Sequence, residues 1–261
     1  MLVLRSILFN VCFYVLIVVM MIAITPIFFI PRKWGWPAVI AWARINLWLL
    51  RVIVGMKIEV RGREHIPQGG CIVAAKHQSL WETFALLPEF EDPTFILKRE
   101  LTWLPWFGWY TIKMRQIPVN RGKRSTALLA MTARAREAID EGRQILIFPE
   151  GTRRPAGAEP VYKFGVAHLY RDLRCPCLPV ALNSGLYWPR RKFLRFPGTV
   201  VIEFQPVIEP GLSQQEMQRV LFERIETASD RLIVEAARAP SPPPRARELA
   251  AAIEARAPKP S

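Results

Sequence analysis

An α/β fold, built on a mostly parallel sheet of about seven strands flanked by helices, is predicted by three features of this chain. Short β-prone apolar runs recur from residue 57 onward. Segments with helical periodicity fall between them. Glycine, proline and capping residues punctuate the junctions. The runs are 57–61, 71–75, 94–97, 115–119, 144–148, 178–182 and 199–204. Residues 124–141 read as a helix, with Leu128, Met131, Thr132, Ala135 and Ile139 on one face and Gly142 as the stop. Residues 162–173 read as a second. A third starts at Ser213-x-x-Glu216, a capping box, and carries the stripe Met217, Val220, Leu221, Ile225 and Leu232.

The chain before residue 57 has a different texture. Residues 7–30 form 24 consecutive positions without a charge, and about 20 apolar residues span a hydrocarbon core. The run is too long for a signal peptide and lacks a small-x-small cleavage site after it. Residues 34–54 follow, with Trp34, Trp36, Trp42 and Trp48 but also Arg44 and Arg51. Central arginines disfavour a span, and tryptophan with arginine suits a helix lying in the interface. Residues 1–55 are therefore expected to be a membrane anchor of two helices, and 56–238 the α/β domain. The Pro-, Ala- and Arg-rich segment 239–261, with a short helix-prone piece between its proline runs, is expected to be a disordered basic tail. Arg5 before the apolar run, against Arg32 and Lys33 after it, favours a cytoplasmic body.

Composition narrows the partners. The 261 residues carry a net charge of +14 and are 51% hydrophobic, with nine tryptophans. The charge calls for an anionic partner. The long apolar run favours a membrane lipid surface over nucleic acid. Four cysteines and three histidines show no metal-ligand spacing, so neither a metal nor a disulfide framework is expected.

Ligands of open α/β sheets gather beyond the carboxyl ends of the strands. Three polar clusters fall there: Lys76-His77-Gln78-Ser79-Leu80-Trp81-Glu82, Asn120-Arg121-Gly122 and Pro149-Glu150-Gly151-Thr152-Arg153. Parallel strands would bring a base, a carboxylate and guanidinium groups to one rim. Imidazole can act as a base near neutral pH, and a nearby carboxylate would set its tautomer. Glu82 reaches His77 only if the chain turns between them, since a continuous helix would hold them about 140° apart. Ser79-x-x-Glu82 is also a capping box, so Glu82 has a competing structural role. His65, in a turn, and His168, mid-helix, read as structural.

Together these residues resemble the glycerolipid acyltransferases, most closely the bacterial 1-acyl-glycerol-3-phosphate acyltransferases. Four blocks carry the resemblance in the family's order: His77 with Glu82, matching His-x4-Asp; Ile117-Pro-Val-Asn-Arg121-Gly; Phe148-Pro-Glu-Gly-Thr-Arg153; and Leu178-Pro-Val-Ala181. Lys163-Phe-Gly165 and Lys98-x-Glu100-Leu101 are also similar to family strings. The resemblance spans roughly residues 57–210 and departs from the pattern at Glu82, where the family has aspartate, and at Lys76, where it has asparagine. It implies that His77 is a general base oriented by Glu82. Arg121 and Arg153 would bind the acceptor phosphate, and Glu150 and Gly151 would shape that site, with Thr152 and Lys98 as further binding residues. The reaction would move a fatty acyl group from acyl-CoA or acyl carrier protein to the sn-2 hydroxyl of a lysophospholipid, without a cofactor or acyl-enzyme. The setting would be the cytoplasmic face of a bacterial inner membrane. Related acceptors such as glycerol-3-phosphate or lyso-ornithine lipid remain open on these motifs. A lipid or thioester hydrolase is disfavoured, because Leu182-Asn-Ser184-Gly lacks the first glycine of a nucleophile elbow.

Overall fold

The computed structural model describes residues 1–120 and 124–256, the side chains of 124–127 excepted. Two N-terminal helices come first: α1 (Leu2–Ala23), then α2 (Arg32–Leu49), which runs on through a π-helical turn to Val54. Gly55, at φ 81°, ends that turn and feeds the first strand. The strands are β1 (Met56–Arg61), β2 (Cys71–Ala75), β3 (Thr94–Lys98), β4 (Ile117–Val119), β5 (Gln144–Ile147), β6 (Cys177–Leu182) and β7 (Gly198–Phe204). The helices among them are α3 (Glu82–Ala85), α4 (Phe107–Lys113), α5 (Arg124–Asp140), α6 (Gly165–Leu173) and α7 (Ser184–Tyr187). Then follow α8 (Gln214–Ala237) and α9 (Ala246–Arg256). The capping box at Ser213 is formed, with Ser213 and Glu216 exchanging side-chain and backbone bonds.

The seven strands make one sheet in the order β1-β7-β6-β2-β5-β3-β4. Every pairing is parallel except β6 with β7. The carboxyl ends of β6, β2, β5, β3 and β4 therefore share one rim. The central strand β2 is buried at all five positions, as expected for a strand covered on both faces. Ile72, Ala74 and Ile145 pack against α5, α6 and the first half of α8.

The opposite face, with Val73 and Leu146, is closed by the N-terminal helices. Phe9, Phe13, Ile27, Ala43, Leu50 and Val54 are buried in the same core as β2, Phe84 and Trp188. Residues 1–55 thus form a wall of the α/β core on one side. On the other side α1 exposes Leu4, Leu8, Val11, Val15, Val18 and Ile22. Both N-terminal helical segments, 2–29 and 32–54, are long and apolar enough to cross a membrane. Polar bonds pin α1 near both ends. Ser6 Oγ accepts from the Arg195 N–H and Asn10 Oδ1 from the Arg195 guanidinium, while the Tyr110 hydroxyl donates to the Met21 carbonyl.

The expected disordered tail needs correction. Among its described residues, 246–256 form α9, which packs on α8 and buries Ala246, Leu249 and Ala250. The low-complexity composition masked a tertiary contact. Leu249 lies over Gly157, where an added Cβ would come within 2.4 Å of its Cδ2. Residues 257–261 lie outside the described residues. Leu249→Ala is expected to lower unfolding free energy by about 2–3 kcal/mol, as for truncation of a buried leucine, measured by denaturant titration in detergent.

Candidate active site

The turn after β2 sets the site. Lys76, still hydrogen-bonded through its N–H to the Val180 carbonyl, ends the strand pairing. The chain then folds around the carboxylate of Glu82, the first residue of α3 and fully buried. Glu82 Oε1 accepts from the Gln78 and Ser79 N–H groups, both at 2.7 Å, and from His77 Nδ1 at 2.9 Å. Glu82 Oε2 accepts from the Ser184 hydroxyl at 2.7 Å. The choice between pairing with His77 and closing the turn is resolved: the carboxylate does both. The reciprocal half of a capping box is absent, because Ser79 Oγ accepts instead from the Trp81 N–H.

This geometry fixes the imidazole. With the Nδ1 proton directed to Glu82, Nε2 carries the lone pair available for proton abstraction. The ring stacks on Phe148, with centroids 3.8 Å apart and planes 12° from parallel, and Phe95 lies against Phe148 in turn. The backbone is held as well. Glu150 Oε2 accepts the His77 N–H at 2.9 Å, and the Arg154 N–H donates to the His77 carbonyl at 2.8 Å. The β2 and β5 loops are thereby tied together at the base.

Glu150 is buried, and burial pushes its pKa up, opposed by Lys76 and by the His77 N–H. The Lys76 ammonium lies 3.0 Å from Glu150 Oε1, an ion-pair contact without hydrogen-bond alignment. Its aligned bonds go to both oxygens of Glu226 on α8, at 2.7 and 2.8 Å, and Tyr162 donates to the same carboxylate. The lysine found where asparagine was expected thus clamps α8 under the rim.

The expected binding residues are distributed around this base. Gly151 has φ 65°, so a side chain there would be strained, and an added Cβ would lie 3.1 Å from Lys163 Cδ. Thr152 and Arg153 are half-buried beyond it, and Lys98 is exposed at the end of β3. Arg121 lies outside the described residues. His65 and His168 hold the fold: one binds the Phe204 carbonyl, the other contacts Thr132 and Asp172. Ser184 and Glu226 went unread from sequence, because their partners Glu82 and Lys76 are 102 and 150 residues away. The only hint was that Ser184 follows a strand in a broken elbow string.

Residues 57–183 match the Acyltransferase family model, and the chain belongs to this family of acyltransferases. Among its relatives, the 1-acyl-sn-glycerol-3-phosphate acyltransferase of Pseudomonas aeruginosa is 40% identical over 167 residues, covering 64% of this chain and 65% of that protein. That of Borreliella burgdorferi is 32% identical over 181 residues, covering 68% and 70%. The matched segment spans only 63% of a mouse relative, the alpha form, which is 27% identical and matches 67% of this chain. The crystal structure of the 1-acyl-sn-glycerophosphate acyltransferase from Thermotoga maritima superposes with a TM-score of 0.75 at 24% identity. It covers 89% of this chain and 98% of its own, which establishes the shared fold.

Two substitutions test the clamp and the carboxylate. Removing one partner of a buried ion pair costs about 3–5 kcal/mol, so Lys76→Met should destabilise strongly. Without the lysine, the Glu150 pKa rises further above its unfolded value. A raised carboxylate pKa favours folding below the unfolded value, and that contribution is lost as pH rises through the folded pKa. The melting deficit of Lys76→Met relative to wild type is therefore expected to be larger at alkaline than at mildly acidic pH, read by thermal unfolding at both. Ser184→Ala removes one donor from a buried carboxylate, a change worth about 1–3 kcal/mol. It should lower both melting temperature and kcat while leaving the acceptor KM within about twofold, since uniform binding is untouched.

Proposed function

We propose that the protein transfers a fatty acyl group from an acyl thioester to the sn-2 hydroxyl of 1-acyl-glycerol-3-phosphate, forming phosphatidic acid. The observation that carries this is the His77–Glu82 pair, anchored through Glu150 to the Phe148–Arg153 loop at one rim of the sheet. His77 Nε2 takes the proton of the acceptor hydroxyl as its oxygen attacks the thioester carbonyl. Glu82 offsets the charge of the resulting imidazolium. The tetrahedral adduct collapses, the carbon–sulfur bond breaks, and the imidazolium returns its proton to the departing thiolate. No acyl-enzyme and no cofactor enter the sequence.

The donor is acyl-CoA or acyl carrier protein. The acceptor phosphate is held by Arg153, Arg121 and Lys98, with Thr152 and Gly151 shaping the loop beside it and Lys163 adding a cation along Gly151. The apolar outer face of α1 and α2 associates with membrane lipid, where the acceptor and product reside. Arg32 and Lys33 after the apolar run, against Arg5 before it, support a setting on the cytoplasmic face of a bacterial inner membrane.

The test is thiol release by detergent-purified protein given lysophosphatidic acid and an acyl thioester, with lipid product identified by mass. Release is expected only with the acceptor present. Release without acceptor would make the protein a hydrolase. His77→Ala and Glu82→Gln are each expected to lower kcat by about 10²–10⁴-fold, the usual contribution of a general base and its support. A His77→Ala protein keeping more than a few per cent of the rate would overturn the mechanism.

A further inference from the structure

Between β3 and β4 lies a segment that the proposed chemistry does not use. Residues 99–113 comprise a 3-10 turn, a bend and α4. Leu101, Trp103, Leu104, Trp106, Phe107, Trp109 and Ile112 are all exposed, Trp103 and Ile112 at 65%. Within the 3-10 turn and α4, only Gly108 and Thr111 are buried. A stretch this apolar would ordinarily fold onto the core.

The backbone prevents that. The Gly108 N–H donates to the Leu104 carbonyl, and Gly108 packs so closely on Thr102 that a Cβ would lie 2.1 Å from its carbonyl oxygen. Trp106 sits at φ 58°, ψ −60°, the centre of a γ-turn closed by the Phe107 N–H on the Pro105 carbonyl. This hand of γ-turn is rare and strained. The segment is a closed hook whose aromatic side chains point outward.

Position and charge indicate what covers it. Tyr110 donates to the Met21 carbonyl, its ring lies 4.9 Å from Phe28, and Lys113 donates to the Phe28 carbonyl. The hook is thus continuous with exposed Phe29, Ile30 and the outer face of α1. Residues 98–113 hold Lys98, Arg99 and Lys113 against the single carboxylate of Glu100, and the Arg99 guanidinium lies over the Trp103 ring. Tryptophans with flanking cations match the interfacial zone of an anionic bilayer.

We propose that residues 99–113 are a second membrane-docking element, which seats the catalytic rim on an anionic bilayer surface. The inference rests on the reading of a lipid acceptor. The hook joins β3, which carries Lys98 at the rim, to the end of α1. Its insertion therefore sets the rim's height above the headgroups from which the acceptor is taken.

The test compares full-length wild type with the Trp103→Ser, Trp106→Ser, Trp109→Ser triple variant. Acyl transfer is measured with acceptor embedded in phosphatidylcholine–phosphatidylglycerol vesicles and with a short-chain, water-soluble acceptor. Tryptophan quenching by bromine-labelled lipid is read in parallel, with Trp→Phe at the same positions as the conservative control. Loss of three interfacial tryptophans is expected to raise the KM for vesicle-borne acceptor by about tenfold or more. Turnover on the soluble acceptor should be unchanged, the quenched fraction lower in both variants because each lacks these three fluorophores, and the vesicle KM of the phenylalanine variant close to wild type. Unchanged vesicle kinetics and unchanged quenching would overturn the proposal. So would a shift from dimer to monomer with vesicle KM intact, which would make the hook a contact between copies of the chain. Loss of turnover on the soluble acceptor would also overturn it, placing these residues in the site's own architecture. If wild type turns over neither acceptor, the catalytic reading fails, while the quenching comparison still decides the docking.

Discussion

The arrangement turns on the carboxylate of Glu82. A fully buried anion survives only if its oxygens are supplied with donors, and this one has four, from the turn after β2, from the base and from the start of α7. Satisfying the charge and positioning the imidazole are therefore one event. The longer side chain of glutamate does not detach it from the base, because the turn wraps around the carboxylate instead of presenting it from a straight helix. Ser184 supplies the donor that holds the second oxygen.

A second buried cluster repeats the logic one layer down. Lys76 sits between Glu150 and Glu226, so one cation serves two carboxylates and ties three elements together: β2, the loop after β5, and α8. Through the Glu150 bond to the His77 N–H this cluster fixes where His77 sits, and it gives α8 a buried polar foothold under the rim.

Much of this was legible in the sequence where the signal is local. All seven strands fall within about two residues of the β-prone runs, and the central β2, β5 and β6, buried along their length, read as nearly continuous apolar stretches. The long helices α5 and α8 follow from their stripes and caps. The His77, Glu150 and Arg153 strings could be placed at one rim once the strands were taken as parallel. What escaped was non-local or short. Helix α4 has two turns and a strained entry at Trp106, too little for periodicity to register. Helix α9 depends on Leu249 meeting Gly157, which alanine- and arginine-rich composition hides. Ser184 and Glu226 owe their importance to partners far along the chain. That residues 1–55 build one wall of the core competes in the sequence with a membrane anchor, because an apolar run looks alike whether protein or lipid covers it.

That last feature bears on how the molecule is assembled. The sheet face carrying Val73 and Leu146 is roofed by Phe9, Phe13 and Leu50, residues that precede all seven strands along the chain. As the chain is made, α1 and α2 must find temporary shelter for a surface that later belongs to protein, then give up part of that shelter when β2, β5 and the 188–195 loop arrive. A bilayer can provide this shelter and bulk water cannot. If the lipid surface of the proposed function is that shelter, the order of synthesis makes it a folding template for one half of the core.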